Sequence, residues 1–337
     1  MTGLQRIDNI FSRRPVNSPG VLPIIHTGLA GCFNVPLGLF FSNAPVMSEV
    51  IVEGYRRFGF DGVQLSMGVT LEAEALGASV DQPTDGAPIL KEHLLSDPGK
   101  LTSLLDKDPS RGGRVPMFID ASKRVVEQIG REAFVLITLR GPLLMATQLR
   151  GVEATLMDTV ENPELLKVIL DFTADISLRL GKSCLGTGAC GLVLGEATCS
   201  PNLISPDLYR RWIQPRHQRL VSELKQAGWP VVGLHICGQI LPILEDVIST
   251  GVDFVDVDYQ VDAQKALSLV KGRVVLRGNL DPASIFRFGT VEQVKKATSE
   301  LVHKVRGTRW ILSGGCDIPA GTPEMNLKAF MEETRDK

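Results

Sequence analysis

Long apolar runs are absent from this sequence: none reaches the roughly 18 residues that a membrane-spanning helix requires. Basic blocks and stripes of interleaved basic and aromatic residues are also absent, and the formal net charge is −2, so nucleic-acid binding has no electrostatic support. Residues 1–14 lack the apolar segment of a signal peptide and predict an amphipathic helix. Together these absences predict a cytoplasmic protein with neither a membrane nor a nucleic acid as partner.

Cysteine is sparse and follows no disulfide pattern. The 337 residues include six cysteines, and without a secretion signal we expect reduced thiols. Cys184, Cys190 and Cys199 are expected to pack in the core, and Cys32 is placed in a loop near the presumed mouth of the fold. Cys237 and Cys316 stand apart because each follows an apolar strand-like run.

Short apolar runs alternate with segments of helical spacing along the chain. Hydrophobic residues make up 44% of the sequence, enough for a large core. The eight predicted strands cover 21–26, 62–67, 133–139, 191–196, 231–237, 254–259, 274–278 and 309–313. No Gly-x-Gly-x-x-Gly follows the first of them, which argues against a dinucleotide-binding sheet. The alternation predicts one α/β domain over residues 1–337: a (β/α)8 TIM barrel with an N-terminal helical extension and an irregular insertion over 70–116.

Polar side chains stand where several predicted strands run into their loops. In a barrel these positions meet at the C-terminal mouth, where such enzymes place their catalytic groups. The set comprises His26, Glu196, His235, Cys237, Asp258, Asn279 and Cys316. The sequence therefore predicts a polar site that is rich in metal-ligand side chains.

His235, Cys237 and Cys316 together form a candidate zinc site. Residues i and i+2 of a strand point to the same side with Cα atoms roughly 6.6 Å apart, so His235 and Cys237 can reach one ion. Zinc accepts two thiolates and an imidazole, and three protein ligands leave the fourth position open, as in catalytic sites. The alternative is that a lone His-x-Cys pair simply packs.

The remaining polar residues have simpler interpretations. His93, His217 and His303 are expected to face solvent, and Asp253, Asp256 and Asp262 are expected to be solvated or to cap helices. For Asp258 the sequence leaves open whether the side chain is solvated, caps a helix or has a functional role. Asn279 is a candidate for substrate binding that could also hold a turn.

Three motifs carry a resemblance to a known family. Residues 234–238 read Leu-His-Ile-Cys-Gly, residues 277–282 read Arg-Gly-Asn-Leu-Asp-Pro, and residues 312–326 contain Ser-Gly-Gly-Cys-Asp-Ile-Pro. They resemble the uroporphyrinogen decarboxylase superfamily, and within it the zinc-dependent corrinoid methyltransferases typified by methylcobamide:coenzyme M methyltransferase. The similarity extends over the whole chain and is strongest from about residue 190 onward.

The resemblance implies a methyltransferase with zinc on His235, Cys237 and Cys316. Such enzymes move a methyl group between a corrinoid on a separate protein and a thiol or a methylated or methoxy compound, with zinc activating the substrate. Residue 233, two before His235, is glycine, so the chain lacks the Asp-x-His-x-x-Gly motif of a corrinoid carrier and needs a corrinoid protein as partner. Asp258 is a candidate fourth ligand in the resting enzyme.

Several alternatives stay open at this point. His26, Glu196 and Asn279 are assigned to substrate binding without a defined partner group. The metal-free decarboxylase fits less well, because residues 21–40 lack an arginine-rich segment for the many carboxylates of a tetrapyrrole. A zinc protein that binds thiols without turnover is another alternative. The methyl donor and acceptor, and whether the chain forms a homodimer, are not fixed by the sequence.

Overall fold

Eight parallel strands form the centre of the protein. The structure is a computed structural model that describes residues 1–335. The barrel strands are β1 Gly20–Val21, β2 Gly62–Leu65, β3 Phe134–Arg140, β4 Gly191–Gly195, β5 Val231–His235, β6 Phe254–Asp256, β7 Val275–Leu280 and β8 Trp310–Gly314. All eight predicted strands are present, with shifted ends.

Strand order confirms the predicted (β/α)8 barrel. From β2 to β8 each strand pairs in parallel with the next, and β8 pairs with β1. The Asp61 amide donates to the Val21 carbonyl at 2.8 Å and joins the β1 and β2 ends. β1 is shorter than predicted because Pro23 has no N–H to donate, and the Ile24 amide donates to the Ser313 hydroxyl instead.

Helices follow the strands around the barrel. The α-helices are Gly3–Phe11, Thr27–Cys32, Leu37–Phe40, Ala44–Phe58, Leu71–Ala75, Thr102–Leu105, Val115–Ile129, Pro142–Arg150, Val152–Met157, Pro163–Cys184, Pro206–Leu208, Gln214–Ala227, Leu244–Ile248, Ala263–Val270, Val291–Val305 and Glu324–Arg335. Short 3₁₀ turns cover Pro98–Leu101, Pro109–Arg111, Leu185–Thr187, Ala197–Cys199 and Leu241–Ile243, and π-turns cover Tyr209–Ile213 and Pro282–Arg287. None of the helices within residues 1–335 is both long and apolar enough to cross a membrane.

The N-terminal helix Gly3–Phe11 packs under the barrel. Thr2 begins it with a capping box, in which the Thr2 side chain and the Gln5 side chain each satisfy the other's backbone N–H. Ile7 and Ile10 are buried in one cluster with strand side chains such as Phe134. The predicted helical extension is therefore part of the barrel's core, and it leaves the opposite, C-terminal mouth open.

The predicted insertion is present and is attached to the barrel. It contains a two-stranded hairpin, Val80–Asp81 with Ile89–Leu90, together with short helical turns. Leu71, Leu95 and Leu104 are buried in the same apolar cluster as the barrel helices. The insertion thus packs as one body with the main core.

Candidate metal centre

Three potential ligand atoms meet at the C-terminal mouth. His235 is the last residue of β5, Cys237 lies two residues beyond it, and Cys316 lies two residues beyond the end of β8. His235 Nε2 is 3.2 Å from Cys237 Sγ, the two sulfurs are 3.9 Å apart, and Cys316 Sγ is 3.9 Å from His235 Nε2. The fold therefore brings together the three residues that the sequence predicts as a set.

This triangle has the dimensions of a zinc site. Nitrogen and sulfur ligands at about 2.0–2.3 Å from a tetrahedral ion lie about 3.5–3.8 Å from each other. The observed separations of 3.2–3.9 Å bracket that range. Two thiolates and a neutral imidazole also balance the double positive charge of the ion. The donor set fits zinc and leaves one face of the ion for a fourth ligand.

A buried carboxylate fixes the orientation of the His235 ring. Asp256 Oδ2 accepts from His235 Nδ1 at 2.9 Å, and the Asp256 carboxylate accepts two hydrogen bonds from Arg277, at 2.6 and 2.7 Å. Strand register aligns the three residues on β5, β6 and β7. Because Asp256 accepts the Nδ1 proton, Nε2 is the nitrogen that faces the thiols and that would give its lone pair to a metal ion. The prediction that Asp256 is solvated or capping is wrong, since it is 1% exposed.

The protonation states of Cys237, Cys316 and His235 determine how many protons a metal ion must displace when it binds. Hydrogen bonds from the Cys237 thiol and the His235 ring lower the pKa of the Cys316 thiol, although burial opposes them. The hydrogen bond to Cys316 and burial raise the pKa of Cys237. Burial would raise the pKa of Asp256, but the charge of Arg277 and the hydrogen bond from His235 hold it below its ordinary value. Burial would lower the pKa of His235, but negative charge on Cys237 and the hydrogen bond to Asp256 raise it above its ordinary value. One thiolate is thus preformed, and a metal ion must displace the Cys237 proton and the proton on His235 Nε2.

A cavity of about 240 Å³ opens beside the three ligand residues. Its charged and titratable lining residues, apart from those three, are His26, Arg140, Glu196 and Asp317. Arg140 ends β3 and donates to the Gly68 carbonyl at 2.8 Å and to the Ser66 hydroxyl at 2.7 Å. Burial lowers the pKa of Arg140, and negative charge on Glu72 and on the two cysteines opposes that shift. The cavity therefore contains one guanidinium within electrostatic reach of the thiols.

Glu196 lines the cavity with a carboxylate that is already engaged. Its oxygens accept from the Leu143 and Leu144 amides at 3.0 and 2.7 Å, and Oε1 lies 2.9 Å from His217 Nε2. His217 Nδ1 in turn lies 3.1 Å from the Tyr209 hydroxyl. The prediction that His217 faces solvent is wrong, because the ring is fully buried against the Glu196 carboxylate. This network joins β4 to the helices Pro142–Arg150 and Gln214–Ala227.

His26 lines the same cavity from the loop after β1, directly before the helix Thr27–Cys32. Its Nδ1 lies 3.1 Å from Asp317 Oδ1, and the Asp317 carboxylate also accepts the His26 amide and the Thr27 hydroxyl, at 2.8 and 2.9 Å. Asp317 directly follows Cys316. The loops after β1 and β8 are therefore tied together beside the candidate ligands.

Two predicted site residues lie outside this group. Asp258 Oδ1 accepts from the Gln260 amide at 3.0 Å. Asp258 belongs to neither of the two groups of potential metal ligands within residues 1–335, which are His235, Cys237 and Cys316 at the mouth and the buried Glu196, Cys199 and His217. Asn279 Nδ2 donates to the Asp258 and Val261 carbonyls at 3.1 and 2.8 Å and supports the loop after β6. Their predicted roles, as fourth ligand and in substrate binding, stay predictions.

Comparison with known proteins identifies the family. The sequence model described as uroporphyrinogen decarboxylase (URO-D) matches residues 9–337. The chain belongs to the uroporphyrinogen decarboxylase family. This confirms the resemblance carried by the motifs around His235, Asn279 and Cys316.

Within the uroporphyrinogen decarboxylase family, similar relatives include methyltransferases of Methanosarcina. They also include the uroporphyrinogen decarboxylase of Prochlorococcus marinus (strain MIT 9211), at 26% identity over 298 residues that cover 86% of this chain and 82% of that one. The chain is 28% identical over 292 residues to methylcobamide:CoM methyltransferase MtbA of Methanosarcina acetivorans, covering 86% of this chain and 84% of that one. It is 27% identical over 340 residues to MtbA of Methanosarcina mazei, covering 98% and 97%. A solved methyltransferase from Methanosarcina mazei superposes with a TM-score of 0.90 at 25% identity, covering 99% of this chain and 98% of that chain.

Three residues of this family member's site escaped the sequence prediction. Asp256 lies in a run with other acidic residues, and only strand register assigns it to His235. Asp317 follows a predicted ligand directly, which is a usable signal. Arg140 is a single cationic residue at the end of an apolar strand. Because strand ends line the mouth of a barrel, this position is also a usable signal.

Proposed function

We propose that this protein is a zinc-dependent methyltransferase that moves a methyl group between a corrinoid and a small thiol or methylated compound. The observation that carries the proposal is the triangle of His235 Nε2, Cys237 Sγ and Cys316 Sγ at the mouth of the barrel. The methylcobamide:CoM methyltransferases among its relatives support the same class of reaction.

The residues of the site have separate roles in this reaction. His235, Cys237 and Cys316 would hold zinc, which when bound keeps a substrate thiol in its thiolate form near neutral pH. Asp256 and Arg277 hold the His235 ring in the tautomer that the ion needs. The cavity walls orient the substrate and exclude water, so the sulfur meets the methyl group in line.

The methyl group would come from, or go to, a separate corrinoid protein. Residue 233 is glycine where a corrinoid carrier of the Asp-x-His-x-x-Gly type has aspartate. The mouth is the open end of the barrel, because the helix Gly3–Phe11 covers the other end. A corrinoid protein would therefore dock over the loops that follow β5 and β8.

The cavity favours a small substrate over a tetrapyrrole. Its volume of about 240 Å³ is below the roughly 300–1,000 Å³ of sites for drug-sized ligands. Its lining offers one arginine, Arg140, against the carboxylates Glu196 and Asp317 and two thiols. A substrate with many carboxylates would need more cations, so decarboxylation of uroporphyrinogen is the weaker alternative.

Incubation with methylcobalamin and a panel of thiols tests the proposal. We expect about one zinc per chain and thiol-dependent loss of the methylcobalamin spectrum, and we expect Cys316→Ala to lose both the metal and the activity. Cys190→Ala is the matched control and should keep both. Absence of zinc, or full activity in Cys316→Ala, would contradict the ligand assignment. Zinc and thiol binding without demethylation would instead support the alternative of a zinc protein that binds thiols without turnover.

The oligomeric state needs a separate measurement. The molar mass of the protein in solution decides between a monomer and a homodimer.

A further inference from the structure

Methylation of a thiol releases a proton that some group must accept. The S–H bond breaks, its electron pair stays on sulfur and forms the new S–CH₃ bond, and the pair of the methyl–cobalt bond stays with the corrinoid. The proton is the remaining product. A general base that lines the cavity would accept it while the thiolate forms.

Most titratable groups around the cavity are already committed. His235, Cys237 and Cys316 supply the metal ligands, and the Arg140 guanidinium has no lone pair to offer. The Glu196 carboxylate accepts two backbone amides and faces the His217 ring. The Asp317 carboxylate faces the His26 ring and accepts the His26 amide and the Thr27 hydroxyl. These contacts leave one imidazole to be considered.

His26 has the bonding pattern of an oriented base. A carboxylate only accepts hydrogen bonds, so the 3.1 Å contact from Asp317 places the proton of the neutral ring on Nδ1. The lone pair is then on Nε2, which has no hydrogen-bond partner among residues 1–335. His26 is only 7% exposed and lines the cavity with the three ligand residues. An unpartnered buried nitrogen of this kind is costly unless a ligand uses it.

We propose that His26 is the general base that takes the substrate thiol's proton on Nε2, with Asp317 as the residue that positions its ring. This proposal rests on the proposed function and adds a catalytic role to a residue that sequence reasoning assigned only to substrate binding. The His26 ring faces the carboxylate of Asp317, which lies in the loop after β8. The other charged or titratable groups that line the cavity, from other strand ends, are His235, Cys237, Cys316, Arg140 and Glu196.

Stopped-flow capture of 2-mercaptoethanol by the cobalt(II)-loaded protein tests the proposal directly. Sulfur binding to cobalt(II) gives an absorption band, so proton removal is observed without methyl transfer. His26→Asn keeps an N–H near Nδ1 for Asp317 but has no basic nitrogen. We expect capture at pH 6.5 to slow about 10²-fold, the low end for general base catalysis. The deficit should shrink above the pKa of the free thiol, and added imidazole should restore the rate at pH 6.5.

His303→Asn is the matched control, because His303 is exposed on the helix Val291–Val305. Its capture rate should equal that of the unaltered protein at every pH. Equal rates for His26→Asn, a deficit of constant size across pH, or loss of metal from His26→Asn would each overturn the role of His26. If the unaltered protein captures the thiol but does not demethylate methylcobalamin, the proposed function fails while the capture rates still decide the role of His26.

Discussion

Asp256→Asn is the perturbation that best separates the support of the metal centre from its ligands. Three donors converge on the Asp256 carboxylate: His235 Nδ1 and two guanidinium nitrogens of Arg277, at 2.6–2.9 Å. An amide has one accepting oxygen, so its NH₂ group must replace either Oδ1, which accepts from Arg277 Nε, or Oδ2, which accepts from both His235 Nδ1 and Arg277 Nη2. If it replaces Oδ2, the ring proton moves to Nε2, the atom that would bind zinc, and Arg277 Nη2 loses its acceptor. If it replaces Oδ1, Arg277 Nε alone loses its acceptor.

Both outcomes have a calculable size. Loss of a carboxylate that orients a metal-binding histidine weakens metal affinity by about 10–100-fold. Breaking a buried ion pair costs about 3–5 kcal/mol, and we expect the low end, near 3 kcal/mol, because the amide oxygen still accepts one hydrogen bond from Arg277. Asp256 and Arg277 are each 1% exposed, so solvent does not replace the lost contact.

Competition with a chromophoric chelator measures the zinc affinity, and urea unfolding of the metal-free protein measures the stability. Asp262→Asn is the control, because Asp262 caps the helix Ala263–Val270 and asparagine caps a helix equally well. Zinc affinity within threefold of the unaltered protein in Asp256→Asn, with unchanged urea unfolding, would refute the role given to the carboxylate.

Three further predictions concern thiols and packing. In the metal-free protein a thiol reagent should modify Cys316 first, because its pKa is lowered, and zinc should protect Cys316 and Cys237 together; equal rates with and without zinc would count against the site. Ile7→Ala should lower the free energy of unfolding by about 2–5 kcal/mol, measured in urea, whereas Ile89→Ala, at an exposed position, should change it little. Burial raises the pKa of the Cys184 thiol to about 12, so between pH 9 and 10.5 the unfolded thiol ionises before the folded one and stability falls by at most about 1.4 kcal/mol per pH unit. Cys184→Ala should reduce the slope by that contribution, while other buried thiols such as Cys32, whose pKa burial raises to about 11, keep theirs. An unchanged slope would contradict the assignment.

The fold followed from the sequence because each strand is a short apolar run bounded by turn residues. All eight strands were predicted, and the errors fell at their ends, where propensity is weak. β1 shows how such an error arises. Pro23 has no backbone N–H for the hydrogen-bond ladder, so β1 ends earlier than its apolar run predicts, and the Ile24 amide donates to the Ser313 hydroxyl instead. The candidate ligands were predictable because His235, Cys237 and Cys316 each follow a strand closely.

The support around the ligands was not predictable in the same way. Asp256 stands beside His235 because β5 and β6 pair in one register, and a shift of one residue would turn its side chain to the other face. His217 lies on a helix whose polar composition suggests exposure, yet it is buried against Glu196 from another strand. Such contacts between distant segments have no signature in a single sequence.

X-ray absorption at the zinc edge tests the central claim most directly. The account predicts two sulfur ligands at about 2.3 Å and one nitrogen at about 2.0 Å from the protein, with a third sulfur appearing when a thiol substrate is added. The account would be contradicted by a zinc ligand shell that lacks sulfur, by one made of four protein sulfurs, or by one that does not change when the thiol is added.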